Sequence, residues 1–223
     1  MKEAIAALIQ GKFVLIHDDD NRENEIDIII AAQHIKPFHV STMRNDGGGL
    51  LCLAIDGCIS RKLGLLYLHD ILNCVSNDYP LFSTMTNGRS PYGDKPSFSI
   101  SVNHRGTYTG ITDYDRALTI SKLALVCKNI DVGGVSEFIK NFRTPGHVPL
   151  LIAANGLLKE RFGHTELAVY LAKIAGLTPA VAICEMLDSH TFRSLSISEA
   201  YKYAKINDLP ILEANQLKTY SVI

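Results

Sequence analysis

The chain has 223 residues, 47% hydrophobic and 20% charged, the proportions of an ordinary globular protein long enough to bury a core without staples. Its 22 Lys and Arg against 23 Asp and Glu give a formal charge of −1, so no basic surplus exists for sequence-independent nucleic-acid binding. Five cysteines, an odd number with no Cys-x-x-Cys pair, speak against a disulfide framework or a cysteine zinc site and point to a reducing, cytoplasmic setting. Lys173, Gly176 and Pro179 interrupt the longest nearly apolar run, 168–184, so no membrane span is expected, and the N-terminus has no signal-peptide pattern.

Residues 1–10, rich in Ala and Leu and closed by Gly11, predict a helix. A short apolar strand follows at 13–16, then a dense polar loop at 18–27, then a buried β-branched strand at 28–32. Residues 37–44 predict a helix that Gly47-Gly48-Gly49 breaks before a strand at 50–55. The stretch 58–95 has little pattern, and its second half, with Pro80, Gly88, Pro91 and Gly93, predicts a surface loop able to cover a site. Alternation over 97–102 predicts a half-buried strand, and Thr112 with Asp115 opens a helix to 128. Pro145-Gly146 predicts a turn over 143–147. A helix at 165–175, a strand at 180–184, a helix opened by Ser196-x-x-Glu199 and a strand near 210–212 complete the chain. Interleaved strands and helices without a repeat or linker predict one domain over 1–223, layered around one sheet.

Four clusters carry chemistry. Residues 18–27 pack six carboxylates and one arginine between two strands. A solvated acidic turn explains such a run. So does a cation or substrate site, because in an extended chain Glu23, Glu25 and Asp27 alternate onto one face and hard oxygens suit Mg²⁺. His147 follows a stiff Pro-Gly turn, as an incidental surface histidine or a placed one. Arg161-Phe162-Gly163-His164-Thr165-Glu166 precedes a helix. It reads as a plain cap with Thr165 in the capping position, or as an anion site at a helix N-terminus with Arg161 and Thr165 as donors and His164 open to a metal. Glu185 ends a buried strand, as a rim charge or as a carboxyl able to move protons.

Together these strings resemble the signatures of the 3,4-dihydroxy-2-butanone 4-phosphate synthase family. The resemblance lies in Asp18-Asp19…Arg22-Glu23-Asn24-Glu25…Asp27, Arg143-Thr144-Pro145-Gly146-His147, and Arg161-x-Gly163-His164-Thr165-Glu166, with 46–52, 109–113 and Cys184-Glu185 in support. It implies an α+β fold, a three-layer α/β/α sandwich around a mixed twisted sheet, and a homodimer with active sites near the subunit interface. It also implies the stand-alone form, without a fused GTP cyclohydrolase II domain. The implied reaction turns D-ribulose 5-phosphate into L-3,4-dihydroxy-2-butanone 4-phosphate and formate for riboflavin synthesis, with Mg²⁺ or Mn²⁺, two ions per site. Carried over by motif, Glu23 and His164 ligate the metals, Arg22 and Asp27 contact the sugar, and Arg161, Phe162, Gly163, His164 and Thr165 hold the phosphate. His147 and Glu185 are acid/base groups, with Asp27 or Glu185 as the first base, and Cys52, Glu25 and Thr109 line the pocket. Ile26 departs from the pattern, since many members carry a small residue there, often Gly.

The implied chemistry is enolisation, loss of water, a 1,2-shift of the skeleton, hydration and C–C cleavage. Two other readings share the residues: another metal-dependent sugar-phosphate isomerase or lyase, and a silent sugar-phosphate or nucleotide-binding module.

Overall fold

The computed structural model describes residues 1–88, 90–91 and 93–220, without the side chains of 219 and 220. One seven-stranded sheet organises them, in the order β4–β5–β3–β6–β2–β1–β9. Its strands are β1 (Val14–His17), β2 (Ile26–Ala31), β3 (Cys52–Ile55), β4 (Phe98–His104), β5 (Phe142–Ile152), β6 (Ala180–Glu185) and β9 (Ile211–Glu213). β1 with β2, β2 with β6, β3 with β6 and β4 with β5 are antiparallel, whereas β3 with β5 and β1 with β9 are parallel. The sheet is therefore mixed, and a small ribbon of β7 (Leu187–Asp188) and β8 (Arg193–Ser194) follows it.

Strand periodicity of two divides the apolar runs between two cores. Leu15, Ile28, Ile30, Leu53, Ala182 and Cys184 face one core, which α2 (Pro37–Thr42), α6 (Asp113–Lys128) and α9 (Ile197–Ile206) cover with residues such as Val40, Ile120 and Ala200. Ile16, Ile29, Cys52, Ala54, Val181 and Ile183 face the other, covered by α1 (Lys2–Ile9), α8 (His164–Ile174) and α10 (Ala214–Tyr220). Both faces being covered explains the unbroken Ile28-Ile29-Ile30 run, every member of which is fully buried. This is the three-layer α+β arrangement that the resemblance implied.

Helix starts follow their caps. Thr112 Oγ1 accepts from Asp115 N at 3.1 Å to open α6, and Ser196 Oγ accepts from Glu199 N at 3.3 Å to open α9. α8 is different, because its N-cap is Gly163 and no side chain caps it. Thr165 lies within the first turn and is not the capping residue.

Two further expectations are corrected. The stretch 58–95 is not without pattern: it holds three short helices, α3 (Gly57–Lys62), α4 (Leu68–Cys74) and α5 (Pro80–Met85), and the described residues from 86 to 97 are irregular; residues 89 and 92 lie outside the described residues. Short helices of this kind form on tertiary support, which local periodicity does not record. Residues 143–147 are not a free turn but part of β5. Val102 pairs with Val148 and Asn103 with Arg143, so 144–147 bulge out of the ladder between them. A Cβ on Gly146 would sit 2.0 Å from the Val102 carbonyl carbon, so only glycine lets the bulge close against β4.

Candidate active site

Asp27 opens β2 and pairs in register with Glu185 at the end of β6, while Cys52 pairs with Ile183. All four side chains therefore point to the α8 side of the sheet. There they line a cavity of about 370 Å³ together with Arg22, Glu23, Glu25, Arg161, His164, Thr165 and the β4 approach Pro96–Phe98. Ile26, between Glu25 and Asp27, points the opposite way and is fully buried in the α6-side core.

The acidic loop owes its shape to Asp18. Its Oδ1 accepts from Glu25 N at 3.0 Å, and its Oδ2 accepts from Glu23 N at 3.1 Å and Arg22 Nη1 at 3.2 Å. An aspartate directly after a strand is a loop-organising signal, and this one was missed as a site residue. Asn24 sits at φ 52, so the chain is not extended through the loop. Glu25 and Asp27 share a face by alternation, whereas Glu23 reaches the cavity through the turn.

His164, the first residue of α8, meets the loop there. Its Nδ1 donates to Glu23 Oε2 at 3.0 Å and its Nε2 donates to the Glu25 carbonyl at 3.2 Å. Two acceptors on two ring nitrogens require the imidazolium form. Burial opposes that charge, but Asp27, Glu23 and Asp18 outweigh it and hold the pKa at about 9. Asp27 is pushed up to about 7, because burial and the neighbouring Glu185, Glu23 and Glu25 outweigh the His164 charge. Its Oδ1 is buried without a hydrogen-bond partner, 3.9 Å from His164 Nε2.

Glu185 Oε2 accepts from Leu50 N at 2.7 Å, which aims the carboxylate across the cavity from the glycine-broken start of β3. Cys52 is buried, and desolvation, helped by Glu185, pushes its thiol pKa upward, so it is an unreactive wall. Arg161 Nη1 donates to Glu166 Oε2 at 2.7 Å, and the fully buried Glu166 also accepts from Ala154 N at 3.0 Å. Glu166 orients the arginine, a role sequence reasoning did not assign. A Cβ on Gly163 would lie 2.6 Å from Arg22 Nη2 and 3.0 Å from Arg161 Nη1. The two guanidinium groups thus converge on the N-terminus of α8, which no N-cap side chain covers and where the helix dipole favours an anion.

Four expected residues lie outside the cavity wall. Gly163 backs the arginines as just described. Phe162 packs against the α8-side core under the Lys218 ammonium, 5.5 Å from the ring centroid. His147 and Thr109 are exposed and share one partner, Asn103. Asn103 Oδ1 accepts from His147 N at 2.8 Å, and its Nδ2 donates to His147 Nδ1 at 3.1 Å and to the Thr109 carbonyl at 3.5 Å. The Nδ1 of His147 is thereby an acceptor, and its proton resides on Nε2.

The donor set fits a hard divalent cation. Asp18, Glu23 and His164 bring ligand atoms within 4.8 Å of one another. The buried Oδ1 of Asp27, without a hydrogen-bond partner, and the carboxylates grouped around His164 are oxygen donors of the kind such an ion takes. Asp18 is already committed to two backbone N–H groups, so Glu23 and His164, which face each other, are the side chains that could hold an ion.

The family model described as 3,4-dihydroxy-2-butanone 4-phosphate synthase matches residues 2–220. A protein of that name from Methanothermobacter thermautotrophicus is 46% identical over 217 residues, 97% of this chain and 93% of the relative. One from Archaeoglobus fulgidus is 44% identical over 97% of this chain and 91% of its own length. A solved 3,4-dihydroxy-2-butanone 4-phosphate synthase in complex with two magnesium ions superposes with a TM-score of 0.79 at 28% identity, covering 99% of this chain and 95% of that one. The chain belongs to the 3,4-dihydroxy-2-butanone 4-phosphate synthase family.

Proposed function

We propose that this cavity converts D-ribulose 5-phosphate into L-3,4-dihydroxy-2-butanone 4-phosphate and formate, as a lyase of riboflavin biosynthesis. One observation carries the reading: a single cavity sets the Glu23–His164 pair beside two converging arginines and over the cross-strand carboxylates Asp27 and Glu185. Glu23 and His164 would hold Mg²⁺, two ions per site, with Mn²⁺ able to replace it. Bound there, the metal would polarise the sugar's carbonyl and hydroxyl oxygens and so acidify the carbon-bound proton between them.

The protein groups supply the rest. Arg161, Thr165 and the α8 N-terminus take the phosphate, and Arg22 with Asp27 contacts the sugar. Asp27 is buried with a pKa near 7, which suits a carboxyl that both accepts and returns a proton at neutral pH. Glu185, fixed by the Leu50 amide, is the second proton acceptor. Cys52 and Ile183 keep that wall dry.

The same reading takes residues 1–223 as one catalytic domain working as a cytoplasmic homodimer and binding no nucleic acid. The formal charge of −1 supports the last point, and five free thiols support the compartment. His147 and Thr109 sit among the exposed Tyr108, Ile111 and Tyr114. A second copy covering that apolar patch would bring its own neighbours against His147 and complete a shared site. Among the described residues no helix is long and apolar enough to cross a membrane.

The test is carbon-13-labelled ribulose 5-phosphate with Mg²⁺, followed by carbon NMR with and without EDTA. Formate from carbon 4 with a four-carbon keto phosphate, abolished by EDTA, is the expected result. Isomerised pentose without formate would overturn it in favour of an isomerase. No conversion by folded, metal-loaded protein would leave a binding module.

A further inference from the structure

The anion end of the cavity already holds a carboxylate of the chain itself. Asp94 Oδ2 accepts from Arg22 Nη2 at 3.1 Å and Arg22 Nε at 3.3 Å, and it lies 3.4 Å from Arg161 Nε. Asp94 precedes Pro96 and Ser97, which line the same cavity. Its side chain is one-third exposed, against 9% for Arg22 and 17% for Arg161. A half-open acid thus bridges two largely buried arginines at the point where they converge on the α8 N-terminus.

We infer that Asp94 is an internal occupant of the phosphate subsite, displaced when substrate binds, and that it sets the affinity for the sugar phosphate. The inference rests on the proposed reading of Arg22 and Arg161 as substrate-binding residues. A phosphate dianion on Arg161 and the Asp94 carboxylate between Arg161 and Arg22 cannot both be favoured, because like charges this close repel. The exchange needs only a side-chain rotation. The Asp94 carbonyl accepts from Ser90 N and Ser90 Oγ, both at 3.0 Å, so its backbone is held independently of the arginines. Neither arginine depends on Asp94 alone for its place, since Asp18 holds Arg22 and Glu166 holds Arg161. In the empty cavity Asp94 keeps the paired positive charges compensated. In the filled cavity it turns outward to solvent.

The inference predicts that removing the carboxylate tightens phosphate binding, the opposite of what loss of an arginine does. Inorganic phosphate is titrated calorimetrically into wild type, Asp94→Asn and Arg161→Met at fixed ionic strength, and KM for ribulose 5-phosphate is measured in parallel. Asp94→Asn is expected to bind phosphate about tenfold tighter than wild type, with KM lowered in the same direction. Arg161→Met is expected to lose phosphate binding. Unchanged or weaker phosphate binding by Asp94→Asn, with Arg161→Met still defective, overturns the inference and makes Asp94 a support for the arginines. Undiminished phosphate binding by Arg161→Met overturns the underlying assignment of the subsite as well.

Discussion

His164 Nδ1 and Glu23 Oε2 stand 3.0 Å apart across 141 residues of chain. The acidic loop and the α8 N-terminus meet at this pair and at the bond from His164 Nε2 to the Glu25 carbonyl, and the carboxylates around His164 hold its charge. Metal ligation needs a neutral imidazole nitrogen, so an ion that takes this pair must expel the His164 proton. With that proton held to about pH 9, Mg²⁺ affinity is expected to rise by about tenfold per pH unit between pH 7 and 9. Calorimetry in buffers of different ionisation enthalpy reads the released proton directly. Glu23→Gln is expected to lose both Mg²⁺ binding and turnover. Wild-type Mg²⁺ affinity in that variant would refute the ligand assignment.

The same charges set the pH dependence of stability. An unfolded histidine titrates near ~6.5, whereas folded His164 holds its proton to about 9. Its contribution is therefore fully present below pH ~6.5 and is lost as pH rises through 9. His17 is also raised: burial opposes its charge, but hydrogen bonds to Glu213 and Asn24 outweigh that, so its sign is the same. His39, lowered to about 4 chiefly by burial, acts only below that window. The metal-free protein is expected to melt several degrees lower at pH 9 than at pH 6.5, and saturating Mg²⁺ to abolish or reverse the trend. Thermal denaturation at both pH values, with and without EDTA, checks this.

Glu185 lies in the cavity and His147 outside it, which makes the two separable. Glu185→Gln and His147→Ala are each expected to lower kcat by about 10²–10⁴ while leaving Mg²⁺ binding intact. If His147 serves the site of a second copy, mixing the two inactive variants regenerates activity, because some mixed dimers carry one intact site. Mixtures that stay as inactive as their components would show that His147 does not act across an interface.

Ile26 tests the division between core and site. Its side chain is fully buried on the face of β2 opposite Asp27. Ile26→Ala is expected to cost about 2–5 kcal/mol in urea denaturation, with little change in Mg²⁺ affinity. A large loss of metal binding at unchanged stability would mean that Ile26 shapes the loop rather than the core.

Much of this protein is local and so was open to reading from sequence alone. The caps at Thr112 and Ser196, the buried Ile28-Ile29-Ile30 strand and the three ordered motifs depend on neighbours within a few residues. What the motif spacing left open was which residues meet. Glu23 reaches His164 through a left-handed Asn24, not by strand alternation. Asp18 and Glu166 act by bonds that no periodicity records. The turn expected at Pro145-Gly146 became a bulge because β4 was there to pair with its flanks. Asp94 lies in a stretch without pattern, yet it bridges two arginines 72 residues and more than sixty residues away in sequence. Sequence determined the chemical types and the elements that carry them, since propensity and capping are short-range. Only the mixed sheet, by its strand order, decided which of those charges stand within ~4 Å of one another, where Coulomb energy outweighs chain distance.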